Sequence, residues 1–92
     1  MKGKRIFPSE DGIVSSSLMS VPGSYGKTIK LYSGRETSQN WWQVTAPDGS
    51  GCVLNPNVHS VTENADGTIT VYPSIVTESW HGWLQYGIWR SV

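Results

Sequence analysis

The sequence predicts an all-β domain: a small antiparallel barrel or a two-layer sandwich, ending in two hairpins. Three observations carry that expectation. No window places apolar residues at i, i+3, i+4 and i+7 without an intervening Gly, Pro or Ser cluster, so helical periodicity is missing. β-branched and aromatic stretches alternate instead with turn residues at intervals of about eight to twelve positions. Finally, the 92 residues include ten glycines and five prolines, the composition of a chain that reverses direction often.

Taken in order, residues 1–7 read as an N-terminal arm, either flexible or docked, on a single domain spanning residues 1–92. The predicted strands are Gly12–Ser20, Lys27–Tyr32, Trp41–Thr45, Gly51–Leu54, Val58–Glu63, Thr68–Tyr72, Ile75–Thr77, Trp80–Gln85 and Ile88–Ser91. Pro47-Asp48-Gly49 marks a tight reversal, because Pro fixes φ and Gly accepts positive φ. Ala65-Asp66-Gly67 reads as a three-residue hairpin loop, a type I turn closed by a left-handed Gly. That loop sets Val61 opposite Val71 and Glu63 opposite Ile69, and brings His59 near Pro73. Pro73 has no N–H for a ladder, so it belongs at a strand end or corner.

Gln85-Tyr86-Gly87 has the form of the same three-residue loop. On that reading Leu84 faces Ile88 and Trp83 faces Trp89. Trp80, Leu84 and Ile88 then share one face, with His81, Trp83 and Trp89 on the other. Bulky apolar groups on both faces mean a central strand pair or one face that waits for a partner. Trp41 and Trp42 pose the same question, since adjacent indoles in a strand point to opposite sides.

Net charge is zero, which argues against a uniform attraction to nucleic acid or anionic lipid. The charges are nonetheless uneven. Residues 1–35 carry Lys2, Lys4, Arg5, Lys27, Lys30 and Arg35 against Glu10 and Asp11. Residues 36–92 carry Glu36, Asp48, Glu63, Asp66 and Glu78 against Arg90. A basic patch for phosphate is one reading; strands of the two halves pairing and neutralising each other is the simpler one. Cys52 is the single cysteine, so no internal disulfide is expected. With no apolar run of signal-peptide or membrane-span length, the chain reads as a soluble cytoplasmic protein.

The run His59…Asp66-Gly67-Thr68-Ile69-Thr70-Val71-Tyr72-Pro73-Ser74-Ile75…Trp80-His81-Gly82-Trp83-Leu84…Gly87-Ile88-Trp89 resembles the tail of a family of small phage and bacterial β-rich domains of unknown function. Trp42-Gln43-Val44-Thr45-Ala46-Pro47-Asp48-Gly49 resembles the strand that precedes this tail. The resemblance covers residues 41–90, about half the chain, and does not extend to residues 1–40. It implies an accessory domain encoded by a phage or prophage, in the host cytoplasm, with no activity to carry over. Additional cysteines in some members imply a metal site there; this chain has Cys52 alone, which speaks against zinc here.

Catalytic and cofactor signatures are missing. There is no glycine-rich phosphate loop leading into a helix and no nucleophile elbow. A metal-dependent or thiol enzyme would have to use Cys52, His59 and His81, which lack the close ligand pairs of structural zinc sites. Ser74 with His81, or Cys52 with His59, would form a nucleophile–base pair only through the fold. Single-stranded nucleic acid would stack on Trp41, Trp42, Trp83 or Trp89 beside Lys27, Lys30 or Arg35, against the neutral net charge. Protein binding asks least of the sequence, because Trp, Tyr and Arg are favoured interface anchors. The expectation is therefore a non-enzymatic domain without cofactor that binds a protein, a host protein or itself. Its expected contacts are Trp41, His81, Trp83, Tyr86 and Trp89, with Arg35 and Arg90 at the rim. Interference with a host process or an anti-phage defence system is the role this suggests.

Overall fold

A computed structural model describes residues 1–8, 20–30 and 36–92, and the described residues are all β, with no helix. Among the described residues, nine strands form three sheets. β1 (Lys4–Ile6), β2 (Ser24–Lys30), β3 (Glu36–Thr45) and β4 (Gly51–Leu54) make the first, in that order. β5 (Ser60–Glu63) and β6 (Ile69–Tyr72) make the second. β7 (Ile75–Val76), β8 (His81–Gln85) and β9 (Ile88–Ser91) make the third. The expected strand at Gly12–Ser20 lies outside the described residues except for Ser20, and so do Leu31 and Tyr32.

The residues of the arm are docked. β1 pairs with β2 in parallel, the one departure from antiparallel pairing in these sheets. Just before β1, Lys2 bridges Ile88, Gly3 N–H donates to the Gly87 carbonyl and Trp89 N–H donates to the Met1 carbonyl. Residues 1–6 thus supply backbone partners to β9 on one side and β2 on the other, joining two sheets that share no ladder of their own.

Two hairpin loops repeat one design. In Ala46-Pro47-Asp48-Gly49-Ser50, Gly49 N–H donates to the Ala46 carbonyl and Gly49 has φ 91°. In Asn64-Ala65-Asp66-Gly67-Thr68, Gly67 N–H donates to the Asn64 carbonyl and Gly67 has φ 86°. Each Asp accepts from the backbone N–H two residues on, Asp48 from Ser50 and Asp66 from Thr68, both at 3.0 Å. These are type I turns closed by a left-handed Gly, with an Asx bond added. The hydroxyls of Ser50 and Thr68 also donate to these carboxylates, which holds both acids below the usual range. The register that follows pairs Val61 with Val71 and Glu63 with Ile69, as the sequence indicates.

The β8–β9 loop differs. Gln85 pairs with Ile88, Leu84 with Trp89 and Trp83 with Arg90, so the loop is the two residues Tyr86-Gly87. Both have positive φ, 50° and 72°, the signature of a type I′ turn. The expected three-residue loop is therefore corrected by one residue. Because side chains alternate with period two, that shift exchanges faces: Trp89 goes to the core and Ile88 to the outside.

The core draws on all three sheets, with Tyr25, Trp42, Val44 and Leu54 from the first, Ile69 and Val71 from the second, and Ile75, Leu84 and Trp89 from the third. Trp89 is 1% exposed. Its indole N–H donates to the Gly23 carbonyl at 2.9 Å, and the ring of Trp80 meets it edge-on with centroids 5.3 Å apart. Its burial thus leaves no polar atom unpaired. Pro73 sits at the corner between β6 and β7, after a cis Tyr72–Pro73 bond.

Between the turns, Asp48 links the first sheet to the third. It accepts from Ser79 Oγ at 2.6 Å, and the Ser50 hydroxyl meets that of Thr77 at 2.6 Å. Charges of the two halves of the chain also meet: Arg5 and Lys27 both pair with Glu63, at 3.1 and 2.7 Å. Those hydrogen bonds, from Lys27 above all, hold the Glu63 carboxyl below its ordinary value. In these two pairs, cations of the first half of the chain meet an acid of the second.

Candidate functional site

The third sheet turns one face to the core and the other outward. Gly82, Leu84 and Trp89 are buried on the inner side. The outer side carries Trp83 opposite Arg90 and Gln85 opposite Ile88, with His81 opposite Val76 at the end near the β7–β8 turn. Val76 is 60% and Ile88 40% exposed. Tyr72, at the end of β6, is 68% exposed and joins Trp83, Gln85, Arg90 and Ser91 around an open concavity of about 470 Å³. Two aromatic rings and one guanidinium thus border the same hollow, and none of its lining residues is acidic.

On the inner side, β8 contains a glycine that its neighbours require. A Cβ on Gly82 would collide with the Arg90 carbonyl oxygen and with the Trp80 ring. Only glycine lets Trp80 fold under β8 there. The hairpin tip is held by β6: Tyr86 N–H donates to Thr70 Oγ1 at 3.0 Å and Gly87 N–H to the Ile69 carbonyl at 3.0 Å.

Of the residues singled out in the sequence, Trp83 and Arg90 come together at the centre of this face. His81 and Tyr86 are exposed at its two ends. Trp89 is in the core instead, which corrects its place among the surface contacts. Trp41 belongs to β3, half-buried and opposite Thr28, on a different sheet. Arg35 lies outside the described residues. Tyr72, Gln85, Ile88 and Ser91 were missed. Ile88 was hidden by the register error, whereas the alternation of buried Ile69 and Val71 with outward Thr70 and Tyr72 would have exposed Tyr72.

The other chemistry-bearing groups gather around Ser74. His59 Nε2 lies 3.2 Å from the Ser74 carbonyl oxygen, and His81 Nε2 lies 3.0 Å from Ser74 Oγ. The second contact has the spacing of a nucleophile and its base. No carboxylate contacts the His81 ring among the described residues, so the group that would orient such a base is missing there. Cys52 is half-buried and burial pushes its thiol up, the opposite of what activates a nucleophile. Among the described residues no group of three or more His, Cys, Asp and Glu is arranged to hold a metal ion. Trp42 is buried with the Lys27 ammonium 6.0 Å from its ring, and Lys27 is paired with Glu63. No helix among the described residues is long and apolar enough to cross a membrane.

Fold and face together define a small all-β domain with an aromatic and basic outer sheet surface. No family model matches the chain, and no curated protein or solved structure is significantly similar to it.

Proposed function

We propose that this chain is a non-enzymatic module that binds another protein through the outer face of β7, β8 and β9. The observation that carries the reading is the concavity between Tyr72 and Trp83 with Arg90 on its border. Trp, Tyr and Arg are the residues that most often dominate interface energetics, above all when clustered around a pocket. Val76, Tyr86 and Ile88 extend the uncovered apolar surface around that centre.

The resemblance of residues 41–90 to small phage and bacterial domains points to the partner's setting: a cytoplasmic component of a host process or of an anti-phage defence system, which binding would obstruct. Affinity capture from bacterial host lysate tests the reading, comparing wild type with Trp83→Ser and Tyr72→Ser variants verified as folded by circular dichroism. The expected result is a partner held by wild type and lost from both variants. A partner held equally by all three would move the contact off this face and sink the proposal.

A further inference from the structure

We infer that the segment bound by this face is acidic: a peptide that offers one carboxylate next to an apolar side chain. Arg90 takes the carboxylate, while Tyr72 and Trp83 flank the apolar group. The inference rests on the protein-binding reading above and adds the chemistry of the ligand.

Charge selects this occupant. Arg90 is exposed, and among the described residues it has no carboxylate partner, whereas Arg5 and Lys27 each have one in Glu63. Its Nη2 donates to Gln85 Oε1 at 2.7 Å. A guanidinium is a planar fork of five N–H donors, so this one bond leaves most of the fork available while fixing the side chain over the sheet. Fixing it beforehand reduces the entropy lost when a ligand arrives. A carboxylate matches the remaining donors in geometry as well as charge.

Shape selects a chain segment. The hollow is open along its length, bordered by Tyr72 on β6 and by Trp83 and Arg90 across β8 and β9, so a ligand lies over it and is not engulfed. An apolar side chain resting between the two rings sets its own carboxylate, or that of a neighbouring residue, against the guanidinium. The residues lining the hollow carry no acidic side chain, so a second copy stacked hollow to hollow offers Arg90 no side-chain carboxylate there.

The probes are N-acetylated hexapeptides of Gly and Ser ending in Phe, Leu or Trp, each made as the free acid and as the C-terminal amide. Binding to the ¹⁵N-labelled protein is followed by amide shift changes. Free acids are expected to perturb Trp83, Gln85 and Arg90 and to bind about tenfold tighter than their amides, the scale of one partly solvated charged hydrogen bond. The preference should shrink as salt is raised. Arg90→Gln should erase it, and Arg90→Lys should keep part of it, because a point charge remains without the fork. If acids and amides bind alike and both are lost in Trp83→Ser, the carboxylate assignment is overturned while the docking face stands. If no peptide binds in either form, the inference fails and the lysate capture decides the broader reading alone.

Discussion

The hairpins β5–β6 and β8–β9 stand near one another, and each has a glycine in its loop, yet they reach their registers by different routes. In β5–β6 the loop decides. Asp66 accepts from Thr68 N–H, Gly67 takes the left-handed position, and the strands follow. In β8–β9 the surroundings decide. Tyr86 adopts φ 50°, a conformation that tyrosine seldom takes unaided, while β6 accepts its N–H and that of Gly87. Tertiary hydrogen bonds and the burial of Trp89 thereby select a two-residue loop over the three-residue loop. The lesson bears on function: a single residue of register separates a tryptophan in the core from one on a binding face.

Substitutions at the two tryptophans of the β8–β9 hairpin give the largest expected effect and the plainest way to break this comparison. Trp89→Ala removes a ring packed on Trp80 together with the indole bond to the Gly23 carbonyl, and should cost about 3–5 kcal/mol. That is a large part of the stability of an ordinary small domain. Trp83→Ser, on the outer side, should cost about 1 kcal/mol or less. Urea denaturation followed by circular dichroism measures both. Equal costs would mean that both rings are core, and the outer face would lose its anchor.

The same contrast shows what was legible in the residues. Where a loop contained its own instructions the turn was readable, in Pro47-Asp48-Gly49 as a tight reversal and in Ala65-Asp66-Gly67 together with the register. The corner at Pro73 was readable too, from one missing N–H. Gln85-Tyr86-Gly87 has no Asp to commit the turn, and its outcome depends on Ile69 and Thr70, which are distant in the chain. The parallel pairing of Lys4–Ile6 with Ser24–Gly26 was illegible for the same reason: three residues carry no periodicity of their own. At the candidate face, Trp83 and Arg90 were found as residue types favoured in interfaces, but their opposition across β8 and β9 required the corrected register.

Glycine-to-alanine substitutions in the two loops sharpen the comparison. Gly67 has φ 86° with open space around a prospective Cβ, so Gly67→Ala meets backbone strain alone, about 1–2 kcal/mol. Gly87 has φ 72°, and its Cβ would stand 3.0 Å from both Thr68 Cγ2 and Tyr25 Oη. Gly87→Ala should therefore cost about 1 kcal/mol more than Gly67→Ala, since crowding in a packed contact adds to the strain. Thermal unfolding of both variants compares them directly. A smaller loss at Gly87 would show that the β8–β9 tip is not seated against β6.

The smallest expected effect has the opposite sign. Tyr86 is 68% exposed and makes its tertiary bond through the backbone N–H, so its side chain contributes little to the fold. Its positive φ is nonetheless strained for a bulky residue, whereas asparagine tolerates that region and precedes glycine in the preferred type I′ loop. Tyr86→Asn should stabilise the domain by about 0.5–1 kcal/mol, the usual gain from matching a turn residue to its conformation. Because the N–H to Thr70 is retained, the register and the place of Trp89 should be unchanged, visible as an unaltered near-ultraviolet tryptophan signal. Loss of stability would mean that the Tyr86 ring holds the tip down. In that case the tertiary route to this register runs through the side chain as well as the backbone, and Tyr86 is divided between folding and any contact it makes with a partner.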